Sequence, residues 1–156
     1  MQISIVYATY SNSTYMATEY LVQQLSALGH TPSAIQAREA TADSLQQAEA
    51  IILASPSWDR DAEQGMPHED FDVFAEMLKD TKFHNKPMAI LGLGDSSYTY
   101  FCGAVAHLQT LITALSAEEC IPALKIDNYY LNEQTAQSQI QAWATQLHTK
   151  LTTPVV

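Results

Sequence analysis

Short uniformly apolar runs alternate along this chain with longer stretches in which apolar side chains recur every third or fourth position. The short runs predict strands over 2–7 (QISIVY), 32–37 (PSAIQA), 50–55 (AIILAS), 86–93 (KPMAILGL) and 118–127 (EECIPALKID). The longer pattern predicts helices over 14–28, 68–80, 103–117 and 132–151. In the first helix Met16, Ala17, Tyr20, Leu21, Leu25 and Leu28 share a side, and Gly29 follows where helices commonly end. The runs AIILAS and KPMAILGL lack polar alternation, as strands buried on both faces do. Five strands of this kind alternating with helices predict an α/β architecture, a parallel sheet covered on both faces. Right-handed crossovers make it a doubly wound, three-layer sandwich. A chain of 156 residues is expected to form one domain. Ligands of such sheets lie beyond the carboxyl ends of the strands, where the winding reverses. Function is therefore expected in three loops, 8–13, 56–67 and 94–102.

Composition narrows the class. No 18-residue apolar run exists, so no membrane-spanning helix is expected. The N-terminus MQISIVYATYSN has no basic segment and enters a strand at once, which argues against a signal peptide and for a cytoplasmic location. Cys102 and Cys120 are too few for a disulfide framework and lack metal-site spacing. The histidines at 30, 68, 84, 107 and 148 are scattered, so no metal site is expected. Acidic residues outnumber basic ones 17 to 7, for a net charge of −10. That balance argues against nucleic acid and anionic membranes as partners, since both demand clustered Lys and Arg. Solubility alone would account for the charge. Its distribution favours steering toward a basic partner, because residues 59–80 carry eight acids against Arg60 and Lys79.

The three loops carry the candidate chemistry. The segment TYSNST (9–14) sits between a strand and a helix and holds hydroxyls at Thr9, Ser11, Ser13 and Thr14. A helix start offers free N–H groups and the positive end of the macrodipole, which favour an anion. There is no G-K-[ST], no G-x-G-x-x-G and no carboxylate after the first strand. Ser, Thr and Asn are also ordinary helix caps, although four hydroxyls exceed what capping uses. In 55–67, Trp58 stands just past a buried strand among charges, either as a stacking wall for a ligand or as a surface tryptophan. In 92–103, Tyr98, Tyr100 and Phe101 follow another buried strand, and Gly92 and Gly94 permit close backbone approach. Asp95 could accept from a ligand N–H or cap its own turn. An anion grip beside the two aromatic plates Trp58 and Tyr98 describes a site for a flat, phosphorylated heterocycle.

With these loops in place the sequence resembles the flavodoxins, of the short-chain type. GLGDSSYTYFCGA (92–104) matches the family's second flavin loop almost residue for residue. ASPSWD (54–59) resembles the first flavin loop with its tryptophan, and TYSNST resembles the phosphate loop, usually [S/T]-x-T-G-x-T. The resemblance runs from the first strand to the last helix. EECIPALKID leads into the final helix with no room for the insertion that splits the last strand of long-chain members. It implies a flavodoxin-like sheet of order 2-1-3-4-5, non-covalently bound FMN, and one-electron transfer at low potential between redox proteins.

Carried over by position, Thr9, Tyr10, Ser11, Asn12, Ser13 and Thr14 would wrap the phosphate, with Pro56 and Ser57 near the phosphate or ribityl chain. Trp58 would cover the inner ring face and Tyr98 the outer. Asp59 would follow at a peptide that reorients on reduction. Leu93, Gly94 and Asp95 would touch the ribityl or pyrimidine end, with the backbone of Tyr100, Phe101 and Cys102 along the pyrimidine edge. No catalytic residue is implied. Cys102 is expected to pack beside the flavin and His68 to start a helix. Partners would be basic-faced reductases and electron acceptors, met by a monomer.

Two positions depart from the family pattern. Asn12 stands where glycine is usual, and Asn is the least costly replacement if the position needs φ > 0. Asp59 stands where glycine or asparagine is frequent and tolerates unusual φ less well than glycine. A less stabilised one-electron-reduced flavin is therefore expected than in glycine-bearing relatives. Two other functions compete: an NAD(P)H-dependent flavin or quinone reductase on the same fold, and a flavin-free interaction module.

Overall fold

The computed structural model describes residues 1–155. In chain order its elements begin with β1 (Gln2–Tyr7), α1 (Ser13–Ala27), β2 (Thr31–Gln36), α2 (Ala42–Gln47) and β3 (Ala50–Pro56). A hairpin follows, β4 (Trp58–Arg60) and β5 (Glu63–Met66), then α3 (Asp70–Met77), β6 (Pro87–Gly94) and α4 (Ala104–Ala114). The chain closes through β7 (Glu118–Glu119), β8 (Leu124–Asp127) and α5 (Glu133–Thr152). The main sheet runs β2-β1-β3-β6, with β7 and β8 sharing the place beyond β6, and every pairing is parallel. This is the expected doubly wound α/β sandwich with sheet order 2-1-3-4-5.

The apolar runs hide a period of two that the sheet reveals. Ile3, Ile5, Ile52, Ala54, Ala89 and Leu91 face α1 and α5, where they meet Leu21, Leu25, Ile140, Trp143 and Leu147. Val6, Ile51, Leu53, Met88 and Ile90 face the other way, onto Leu45, Phe74, Leu78, Leu108 and Ile112. Both faces of each central strand are thus covered, and the polar residues among them are few, Ser4 in β1 and the buried Ser55 in β3.

Three features differ from the sequence-based expectation. The fifth strand is not continuous over 118–127. Met88 pairs with Glu119 and Leu91 with Leu124, so this edge carries two more residues than β6 across the interval. The excess loops out at 120–123, where Pro122 has no N–H to give the ladder. The short α2 lies between β2 and β3, where the sequence pattern predicts no element. Thr41 Oγ1 accepts from the Ser44 N–H at 3.2 Å and Ser44 Oγ accepts from the Thr41 N–H at 3.4 Å, a reciprocal cap. Only Leu45 of this helix is buried, too little to show a period. The β4–β5 hairpin was also unforeseen. It turns through Asp61 and Ala62, at φ 54° and 63°, and positive φ at both centres suits the twist of paired strands. Glycine or asparagine normally advertises such a turn, and Ala62 does not.

The end of α2 rests on a single cation. Lys86 Nζ donates to the carbonyls of Leu45 (3.0 Å), Gln46 (2.7 Å) and Ala48. Burial lowers its pKa, while the three acceptors occupy its three N–H donors. Lys86→Met should cost about 2 kcal/mol, since hydrogen bonds to charged groups are worth ~1.5–3 kcal/mol. The thermal midpoint should then fall by roughly 4–8 °C for a chain of this size. A calorimetric scan showing no shift would make this cap energetically idle.

Candidate functional site

At the carboxyl end of the sheet four loops surround a cavity of about 500 Å³, within the usual range for small-molecule sites. Of the expected residues, Ser11, Ser13, Pro56, Ser57, Trp58, Asp59, Leu93, Gly94, Asp95, Tyr98, Tyr100 and Cys102 line it. Thr9, Tyr10, Asn12, Thr14 and Phe101 do not. Among the described residues no Lys or Arg lines the cavity, and its carboxylates are Asp59 and Asp95.

The loop after β1 brings unpartnered donors to the start of α1, although fewer of its side chains line the cavity than expected. Asn12 caps α1 with φ 72°, the left-handed conformation in which asparagine replaces glycine at least cost. Its side chain makes no capping bond, so the first-turn N–H groups of α1 have no side-chain acceptor. The Oγ1 atoms of Thr9 and of Thr14, at the start of α1, are buried without a hydrogen-bond partner, as is that of Thr18 one turn further along the helix. Buried hydroxyls are normally satisfied, and two orphans beside a helix start match donors for an anion's oxygens. Tyr10 turns elsewhere. Its ring stacks on His68 at 4.0 Å, meets Trp58 edge-on at 4.9 Å, and its hydroxyl donates to Glu69. Burial and the Glu69 contact push its pKa up to about 12, so it stays a neutral phenol that props Trp58 from behind.

Trp58 itself is 49% exposed and Tyr98 64%, the large aromatic surface that a planar ligand would cover. Ser57 Oγ accepts from the Ala104 N–H at 2.9 Å and so caps α4, with its own O–H still free to donate. Asp59 is not strained: the unusual backbone falls at Asp61 and Ala62 instead. Its carboxylate accepts from the Gly65 N–H at 3.1 Å and ties the peptide after Trp58 to the returning strand β5. Gly65 in turn crosses the start of α4 backbone to backbone. A Cβ there would lie 2.8 Å from Tyr100 Cβ, and one on Gly103 would lie 2.7 Å from the Gly65 carbonyl oxygen.

The loop after β6 keeps its shape by internal bonds. Asp95 Oδ1 accepts from Ser97 N–H at 2.8 Å and from Ser97 Oγ–H at 2.6 Å, which hold its pKa below the usual carboxylate range. Asp95 thus caps its own turn, one of its two expected roles. The close approaches at Gly92 and Gly94 serve this loop too. A Cβ on Gly92 would lie 2.6 Å from Val105 Cγ2, and one on Gly94 3.0 Å from Cys102 N. Cys102 is 1% exposed, and burial pushes its thiol up to about 12, above the range of reactive thiols. Phe101 packs against the core on the α3–α4 side. His68 starts α3 as expected: it is buried, and its Nδ1 accepts from the Asp70 N–H at 3.0 Å.

A fourth wall escaped the sequence reading. Asn128, Tyr129 and Tyr130, after β8, line the cavity, as do Gln64 and Gly65 of the hairpin. The rule that sent attention past the other strands applied to the fifth as well, where a Tyr-Tyr pair was the signal. Asp127 fastens this wall to the loop after β6, accepting from Ser96 N–H at 2.9 Å and from Ser96 Oγ–H at 2.6 Å.

The expected acidic surface at 59–80 is partly neutralised. Arg60 pairs with Asp61 at 3.1 Å and Asp72 at 3.0 Å, Lys79 with Glu76 at 2.7 Å, and Arg38 with the buried Asp70 at 2.7 Å. Among the described residues Asp59, Glu63 and Asp80 have no ion pair, so the region stays negative. No cluster of potential metal ligands exists among the described residues, and no helix is long and apolar enough to cross a membrane.

A parallel sheet with a hydroxyl-rich loop and the exposed aromatics Trp58, Tyr98, Tyr100 and Tyr130 at its switch point defines a doubly wound α/β protein with a candidate ligand cavity at the carboxyl ends of its strands. Comparison with known proteins makes this specific. The flavodoxin family model matches residues 5–143, and the chain belongs to the flavodoxin family. A flavodoxin from Nitratidesulfovibrio vulgaris (strain DSM 19637 / Miyazaki F) is 30% identical over 149 residues, covering 96% of this chain and 98% of that protein. The crystal structure of oxidised flavodoxin 2 from Bacillus cereus superposes with a TM-score of 0.84 at 27% identity, over 96% of this chain and 99% of that one. The fold also matches, at TM-score 0.81 and 17% identity, a Fusobacterium nucleatum flavodoxin crystallised bound to flavin mononucleotide, over 96% and 98% of the two chains.

Proposed function

We propose that this chain, as one domain, binds FMN non-covalently in the switch-point cavity and carries single electrons at low potential between redox proteins. The observation that carries the reading is the pair of buried, unpartnered hydroxyls on Thr9 and Thr14, beside a cavity lined by the exposed aromatics Trp58, Tyr98, Tyr100 and Tyr130 and, among the described residues, by no cation. Thr9, Ser11, Ser13 and Thr14, with the free N–H groups of α1, would hold the phosphate. Trp58 and Tyr98 would cover the ring faces, with Asp95 and the backbone of 100–102 along the ring's edge. Bound FMN would supply the one-electron chemistry, and the protein would supply binding, orientation and electrostatics.

The protein's own contributions follow from charge and exposure. Stacked aromatics exclude water from the ring. Asp59 and Asp95, with the acids of 61–80 beyond, disfavour added negative charge at the site, which lowers the potential. Titration of the apoprotein with FMN, followed by the visible flavin spectrum, tests the reading. A stable stoichiometric complex supports it, and an apoprotein that takes up no FMN overturns it. Anaerobic addition of NADPH to that complex should leave the flavin oxidised; rapid bleaching would assign a reductase instead.

Asp59 gives the site a tunable element. Asp59→Gly removes both the tether to Gly65 and a negative charge. It should raise the one-electron potential by about 40 mV, the equivalent of ~1 kcal/mol for one electron. Asp59→Asn retains an acceptor for Gly65 and should move the potential less. Anaerobic redox titration reads both, and equal shifts would reduce the tether to a charge effect.

Partners on this reading are basic-faced redox proteins that meet the aromatic rim and the acids around the hairpin and α3. Electron transfer to them should slow as salt rises, because exposed charges are screened beyond ~10 Å at 0.1 M ionic strength. Rates independent of salt in stopped-flow would remove the steering role.

A further inference from the structure

Tyr130 reaches from the loop after β8 to the loop after β1, where its hydroxyl donates to the main-chain carbonyl of Ser11. The two residues are 119 positions apart. The platform under Tyr130 is firm. Asn128 N–H donates to the Gly94 carbonyl at 2.9 Å, Leu131 and Asn132 N–H groups return to Asn128 O at 3.0 and 3.1 Å, and Tyr130 meets the buried Tyr129 ring edge-on at 5.9 Å.

The bond lands on a sensitive peptide. The Ser11 carbonyl belongs to the unit that joins Ser11 to Asn12, and in a trans peptide C=O and N–H point opposite ways. Fixing the carbonyl on Tyr130 therefore fixes the direction of the Asn12 N–H. Asn12 is the left-handed residue of the loop, at φ 72°, and its side chain does nothing to cap α1. A residue with a Cβ resists that conformation, and a hydrogen bond from outside the loop favours it over the alternatives.

We propose that Tyr130 is a positioning residue for the anion loop: its hydrogen bond to the Ser11 carbonyl holds the 11–12 peptide in the left-handed turn that Asn12 disfavours, and so sets the loop's affinity for a phosphomonoester. The inference rests on the reading of the cavity as an FMN site. It assigns to Tyr130 the work that a glycine at position 12 would make unnecessary. Tyr130 is 53% exposed, so loss of its hydroxyl leaves the core intact.

The test is a double-mutant cycle of Tyr130→Phe and Asn12→Gly on the full chain, with dissociation constants for FMN and for riboflavin, which lacks the phosphate. In the native background Tyr130→Phe should weaken FMN about five- to tenfold, the value of one hydrogen bond, and change riboflavin less than about twofold. With Asn12→Gly in place, the same substitution should change FMN less than about twofold, because glycine adopts the turn unaided. An equal FMN loss in both backgrounds would make Tyr130 a direct ligand contact and overturn the proposal. So would equal losses for FMN and riboflavin, or no loss at all. A native protein that binds neither flavin would overturn the FMN reading, and this inference with it.

Discussion

Trp58→Ala is expected to weaken FMN binding by about a hundred- to a thousandfold and riboflavin binding by the same factor. Trp58 is 49% exposed and borders the cavity, so a planar ligand would bury most of its open face. Covering roughly 100 Å² of ring is worth about 2.5 kcal/mol at ~25 cal/mol per Å². Aromatic stacking adds about 0.5–1.5 kcal/mol. Together they amount to about two to three decades in the dissociation constant. The phosphate takes no part in this contact, so both flavins lose alike. The fold should be nearly unaffected, because the tryptophan's aromatic partner in the protein is the edge of Tyr10 at 4.9 Å, itself held by His68 and Glu69. Fluorescence titration with the two flavins decides the matter. A loss confined to FMN would place Trp58 near the phosphate instead of the ring.

Thr14→Val should move stability and binding in opposite directions. Thr14 is fully buried at the start of α1, and its Oγ1 has no partner. An unsatisfied buried hydroxyl costs about 1–3 kcal/mol, and valine fills nearly the same space without that cost. The apoprotein should gain about 1 kcal/mol, or roughly 2–4 °C in its thermal midpoint. If the hydroxyl donates to a phosphate oxygen, its removal forfeits a hydrogen bond to a charged group, worth ~1.5–3 kcal/mol. FMN affinity should then fall ten- to a hundredfold while riboflavin affinity holds. Calorimetry of the apoprotein and the same pair of titrations read both effects. A less stable apoprotein would show that Thr14 has a structural partner, and equal flavin losses would detach it from the phosphate.

Much of this architecture was written locally. The strands at 2–7, 50–55 and 86–93 appear within one or two residues of expectation, because long apolar runs have no stable place except a covered sheet. The helices at α1, α4 and α5 likewise follow from spacing. Asn12 could be read as a left-handed residue because a glycine is usual in its motif, and it has φ 72°. The β4–β5 hairpin was not legible. Its turn lacks a glycine, and what stabilises it is spread over the cross-strand Asp59–Gly65 bond, Arg60 Nε donating to the Pro67 carbonyl at 2.8 Å, and the crossing of Gly65 over Gly103 at the start of α4. The interruption of the fifth strand needed the register against β6 to be seen, although Pro122 hinted at it.

The sequence by itself determined the layer order, the end of the sheet where the cavity lies, and the hydroxyl and aromatic character of the loops there. Periodicity and loop composition are properties of neighbours along the chain, and burial of apolar surface turns them directly into architecture. Only the tertiary structure decided which of those side chains face the cavity. Tyr10 turns back to support Trp58, Phe101 leaves for the core, Asp95 caps its own turn, and Tyr130 arrives from 119 residues away to hold the Ser11 peptide. Such choices depend on hydrogen bonds and contacts between segments remote in sequence, and these take effect only once the sheet has brought the loops together.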